Sequence, residues 1–155
     1  MKTTGFEVVV PPGLFWIGDP CHVVRHDSDE IWQELLRSCD YFDNPIGFAP
    51  GYGVAAFRTL AGDGLYEDGS CRLFQVDSGF IGIIHGSQIK RKFTTTDSLL
   101  GMGHWIDFGE PTTCYSDGET IRFGRVTIQT AYQAEPLFRA KAQPSINENT
   151  TTQTL

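Results

Sequence analysis

Short apolar runs, each cut off by glycine, proline or aspartate, dominate this chain and leave it few ways to fold. Phe6-Glu7-Val8-Val9-Val10 stops at Pro11-Pro12-Gly13, and Leu14-Phe15-Trp16-Ile17 stops at Gly18-Asp19-Pro20. Seventeen glycines and eight prolines fall mostly between such runs. Punctuation at that density favours many short strands over long helices. Further strands are predicted at 52–59, 71–77, 80–86, 103–108, 112–116, 119–123 and 125–130, with 91–96 as another candidate. Asp68-Gly69 and Asp117-Gly118 stand where tight hairpin turns want positive φ. Residues 40–51 read as an irregular loop.

One segment breaks the pattern. Ile31, Trp32, Leu35, Leu36 and Cys39 recur at helical spacing, with Gln33, Glu34 and Arg37 on the other face. Asp27-Ser28-Asp29-Glu30 ahead of them has the form of a capping box, with Asp27 and Glu30 as the reciprocal pair. A helix over 28–39 follows, its Trp and Leu stripe turned to the core. The fold class is therefore mainly β: an antiparallel small barrel or curved sandwich with one amphipathic helix across an open face. Residues 1–140 form one β-rich domain. Residues 141–155, polar and without period, are expected to be a disordered tail.

Composition narrows the function. Nineteen acidic against twelve basic residues give a formal charge of −7, which opposes binding to a phosphate backbone. The basic residues gather only at Lys90-Arg91-Lys92, a solvated loop on the plainer reading. No apolar run of about 18 residues is present to cross a membrane. The N-terminus lacks the apolar stretch of a signal peptide, which places the chain in the cytoplasm as an expectation. Cys21, Cys39, Cys71 and Cys114 are far apart and carry no C-x-x-C pair, so free thiols are expected.

Aspartates in glycine-rich turns are the candidate chemistry. They are Asp19 in Gly-Asp-Pro-Cys, Asp63 in Gly-Asp-Gly, and Asp77 in Val-Asp-Ser-Gly. Asp19 fits a general base or a ligand, but equally a carboxylate that accepts amides of its own turn. Asp63 lacks the alternating oxygen ligands of a calcium loop, because position 65 is Leu. Cys21 and His22 are neighbours in a segment read as extended, which sends their side chains to opposite faces. Among the cysteines and histidines only His22 and His26 approach a ligand spacing, so neither a metal nor a cofactor is expected. If the three turns meet at one end of the fold, Asp19, Asp63, Tyr66, Asp77 and Ser78 converge on a ligand site. Arg58, Arg72, Lys90 and Arg91 would supply positive charge for a nucleotide-like ligand.

The ordered set Trp16-Ile17-Gly18-Asp19-Pro20-Cys21, Trp32, Gly62-Asp63-Gly64-x-Tyr66 and Val76-Asp77-Ser78-Gly79-x-Ile81-Gly82-Ile83 continues through Asp117-Gly118 and Phe123-Gly124 to Thr130. In that order it resembles a group of small bacteriophage and bacterial proteins. His22 stands where that group would carry an aromatic residue such as Tyr. The resemblance implies an accessory protein of β-rich fold and brings no activity with it. The expected function is binding: a phage-associated protein that engages a host protein or sequesters a small ligand in the host cytoplasm. The alternatives are a small hydrolase or nucleotide-processing enzyme using the aspartates, and a virion structural or assembly protein.

Overall fold

Neighbouring residues along the central strands are both buried, which requires a sheet covered on its two faces. The computed structural model describes residues 6–134. Its strands are β1 (Phe6–Val10), β2 (Gly13–Gly18), β3 (Ile46–Ala49), β4 (Tyr52–Arg58), β5 (Gly64–Glu67), β6 (Leu73–Val76), β7 (Phe80–His85), β8 (His104–Phe108), β9 (Thr112–Ser116), β10 (Thr120–Phe123) and β11 (Val126–Gln129). Three helices, α1 (Val24–Asp27), α2 (Asp29–Ser38) and α3 (Thr95–Leu99), and two 3-10 turns, Pro20–His22 and Gly86–Gln88, join them. Five strands form one sheet in the order β3-β4-β7-β2-β8. Four form a second, β1-β9-β10-β11, and β5-β6 is a separate hairpin. Every strand pairing is antiparallel.

Alternation sorts the five-stranded sheet between two cores. Phe15, Ile17, Ala55, Phe57, Ile81 and Ile83 face the second sheet and the hairpin, meeting Cys114, Ile121, Phe123, Tyr66 and Phe74. Their chain neighbours Trp16, Val54, Ala56 and Ile84 face the other way, onto Trp32, Leu35 and Leu36 of α2. The architecture is a curved antiparallel sandwich with an amphipathic helix over its open face. Among the described residues no sheet closes into a barrel. Among the described residues no helix is long and apolar enough to cross a membrane.

Trp16 shows how tightly the helix-side core is built. It is fully buried, and its indole lies across Gly18 and Gly103. Gly103 has φ +113°, a conformation side chains rarely adopt, and a Cβ there would overlap the indole ring.

Local signals account for most differences from expectation. The helix starts one residue later than its acidic run suggests, because Ser28 is the N-cap and its Oγ accepts from the Ile31 amide at 3.2 Å. Asp27 instead ends α1, and its carboxylate accepts from Tyr52 Oη at 2.9 Å and Lys90 Nζ at 3.1 Å. Residues 91–96 form no strand: Thr94 and Asp97 make a reciprocal capping box that opens α3. The 40–51 loop holds the edge strand β3, which pairs with β4. The 141–155 tail lies outside the described residues.

His104 on β8 carries a pH dependence. Its Nε2 donates to the Leu73 carbonyl at 2.6 Å, and its ring meets Phe74 edge-on at 4.9 Å. Burial holds its pKa below the ordinary 6.5, outweighing the carbonyl bond that raises it. The folded chain therefore takes up that proton less readily than the unfolded one. The stabilisation is present above 6.5 and is lost as pH falls through that value toward the lower folded one. Urea midpoints are expected to fall as the medium is acidified across this range. His104→Gln, which keeps an N–H for the carbonyl, should flatten that part of the profile. An unchanged slope in the variant would assign the effect to another group.

Candidate functional site

Three turns meet at one end of the sandwich because antiparallel pairing places the end of β2 and the end of β4 beside the start of β7. The first turn follows β2. Pro20 pre-sets φ for a helical first position, and Asp19, extended at φ −72° and ψ 120°, caps the 3-10 turn Pro20–His22. One carboxylate oxygen of Asp19 accepts from the Cys21 amide at 2.9 Å and from Ser78 Oγ at 2.6 Å. The other accepts from the amides of Asp77 and Ser78, each at 2.7 Å. Asp19 is 1% exposed. It serves its own turn and also latches that turn to one 58 residues further along the chain.

The second turn, between β6 and β7, presents Asp77. Its carboxylate meets His22 Nε2 at 2.8 Å and accepts from Gln75 Nε2 at 3.3 Å. The His22 carbonyl in turn accepts from Arg91 Nη1 at 2.8 Å, and the Arg91 guanidinium lies over Phe93. The third turn is tied to the second through Thr59. The Thr59 amide donates to the Gly79 carbonyl at 3.0 Å, and its Oγ1 donates to the Gly62 carbonyl at 2.6 Å. Asp63 Oδ1 comes within 3.8 Å of where a Cβ on Gly79 would stand.

Of the residues singled out by sequence, Asp19, Asp77 and Ser78 are in direct contact. Asp63 is adjacent and exposed, and Arg91 reaches the cluster through a backbone carbonyl. Arg58 lines the same groove as Asp77. Tyr66 is fully buried, with its hydroxyl on the Gly62 carbonyl at 2.6 Å. Arg72 pairs with Asp68 at 2.8 Å, and Lys90 pairs with Asp27 while lying over the Tyr52 ring.

Sequence reasoning placed Cys21 and His22 on opposite faces of an extended segment, and the 3-10 turn overturns this. The Cys21 sulfur, a His22 nitrogen and an Asp19 oxygen lie within 4.8 Å of one another, all buried. Pro20 behind an N-cap aspartate was the signal for a helical turn. The arrangement is nonetheless poor for nucleophilic or metal chemistry. Burial first, and then the Asp19 carboxylate beside it, push the Cys21 thiol far above its ordinary range, so it is held as a thiol. Both Asp19 oxygens already accept two hydrogen bonds each, which leaves no free lone pair for a cation. His22 Nδ1 is buried and has no partner, so no hydroxyl or thiol stands ready for this imidazole to activate.

Beside the second turn, the one of the three that lines it, lies an open groove of about 630 Å³. Asp77, Ser78 and Phe80 form one wall, and Trp32 with the 40–43 segment forms another. That segment was invisible in the sequence. Asp40, Tyr41 and Phe42 have φ of 52°, 55° and 60°, three consecutive left-handed residues. Each costs an L-residue about 1–2 kcal/mol. The turn is held by the Tyr41 amide on the Leu36 carbonyl at 2.7 Å, the Asn44 amide on the Cys39 carbonyl at 3.1 Å, and Phe42 packed against Phe80. Its result is to bury Phe42 while leaving Tyr41 47% exposed at the groove. No family model, curated protein or solved structure matches the chain.

Proposed function

We propose that this chain is an accessory binding protein, phage-associated by its motif resemblance, that engages a host protein or sequesters a small ligand without chemical turnover. The supporting observation is the division of labour at the three turns. The groups with chemical potential are committed inward: Asp19 to four hydrogen bonds, Cys21 to a protonated thiol, His22 to Asp77. What that network turns outward is one wall of the groove, Asp77 and Ser78. The His22–Asp77 pair is the one arrangement that favours the enzyme reading, as a carboxylate-oriented imidazole, and it lacks a nucleophile on its free nitrogen.

The test is to incubate the protein with host extract and with a panel of cyclic and linear nucleotides, then release what it retains by heat. Mass spectrometry should recover the retained molecule intact. A chemically altered product, lost in a folded Asp77→Asn variant, would move the protein to the nucleotide-processing class. Retention of nothing at all would favour a virion assembly role.

A further inference from the structure

We infer that the groove receives an extended segment of a partner protein that presents an apolar side chain and, beside it, an arginine or lysine. This rests on the binding reading above and names the chemistry of its partner. The groove does not end at Asp43 and Arg58. These two residues also wall a second cavity of about 450 Å³, lined by Phe6, Phe57 and Leu60. Phe6 is 48% and Leu60 59% exposed. One continuous surface thus has an apolar end, a dividing Arg58–Asp43 contact and an aromatic, acidic end.

Charge selects the occupant. The chain carries −7, and the groove sets exposed Asp40, Asp43 and Asp77 against Arg58 and an Arg25 that is itself paired with Asp29 at 3.4 Å, so the balance there is acidic and an anionic ligand meets net repulsion. Arg58 shows what the seat accepts. Its guanidinium lies over the Phe80 ring at 5.5 Å, donates to the Tyr41 carbonyl at 3.0 Å and stands 3.9 Å from Asp43. Ring face, carbonyl and carboxylate together form a guanidinium seat. The resident side chain is 58% exposed and its ion pair is long, so it holds that seat weakly. An incoming cation displaces it. In an extended segment, side chains two residues apart lie on one face about 7 Å from each other, which suits two subsites sharing a wall.

Arg58 also gives the test its sign. An immobilised positional-scanning library of acetylated pentapeptides is probed with the full chain, and the selected peptide is then measured free in solution by fluorescence anisotropy. Arginine or lysine should be enriched two positions from leucine, methionine or phenylalanine. Arg58→Ala, which vacates the seat, should tighten binding threefold or more. Asp43→Asn, on an exposed residue, should weaken it at least tenfold and flatten its salt dependence. Asp77→Asn should act in the same direction.

Selection of acidic or uncharged residues, or weaker binding by Arg58→Ala, would overturn the proposal. So would a groove filled by a second copy, seen as a dimer that Asp43→Asn dissolves. A library that yields no peptide also overturns it. If the protein still retains an intact ligand from extract, the broader binding reading survives that loss. If it retains nothing, both fall.

Discussion

Asp19→Ala is expected to destabilise the fold by about 3–5 kcal/mol. The carboxylate is buried and accepts four hydrogen bonds, three of them from backbone amides. Removing it strands the amides of Cys21, Asp77 and Ser78 in a site that water reaches poorly. It also cuts three hydrogen bonds to the β6–β7 turn and leaves His22–Asp77 as the remaining side-chain contact between those two turns. Asp19→Asn keeps one acceptor oxygen but turns an N–H donor toward other donors, so it should recover only part of the loss. Urea unfolding of the three proteins reads this directly. A loss below about 1 kcal/mol for the alanine variant would mean that the latch contributes little and that the turns are held by the His22–Asp77 and Thr59 contacts and by packing.

Trp32→Ala should cost a comparable about 3–5 kcal/mol, for a different reason. The indole is 4% exposed and packs with Leu35, Leu36 and the outward face of β4 and β7. Deleting it opens a cavity beneath α2, the element that carries the 40–43 turn at its C-terminal end. The same variant should therefore loosen the groove before the chain unfolds, visible as faster amide exchange at Tyr41 and Asn44. A loss below about 1 kcal/mol would place Trp32 outside the core and make it a contact residue.

The strands were legible because period-two alternation and turn residues are local signals. Phe15 and Ile17 face one core while Trp16 faces the other, as a strand buried on both sides requires. Gly118 takes the expected positive φ, and Asp117 Oδ1 accepts from the amides of Glu119 and Thr120. The Asp68-Gly69 turn was half right. The Asp68 carboxylate does organise the loop, through the amides of Ser70 and Arg72, but Cys71 rather than Gly69 takes the positive φ.

The candidate site was legible in its residues and not in its roles. Asp19, Asp77 and Ser78 stood out by their turn context. That Asp19 is buried beneath the other two depends on a contact spanning 59 residues, which no local pattern encodes. His22 was discounted on an extended reading of a segment whose proline had started a helical turn. The left-handed Tyr41 and Phe42 had no sequence signal, because bulky residues adopt that conformation only where tertiary contacts impose it.

On the proposed reading, the groove beside the β6–β7 turn binds its occupant and does not transform it. Hydrogen–deuterium exchange on the protein alone, and saturated with the molecule it retains, tests this most directly when the mass of that molecule is read in the same experiment. Slowed exchange concentrated at residues 40–43 and 77–80, with the retained molecule unchanged in mass, is the expected result. Protection confined to other faces, or a retained molecule that has gained or lost mass, would contradict it.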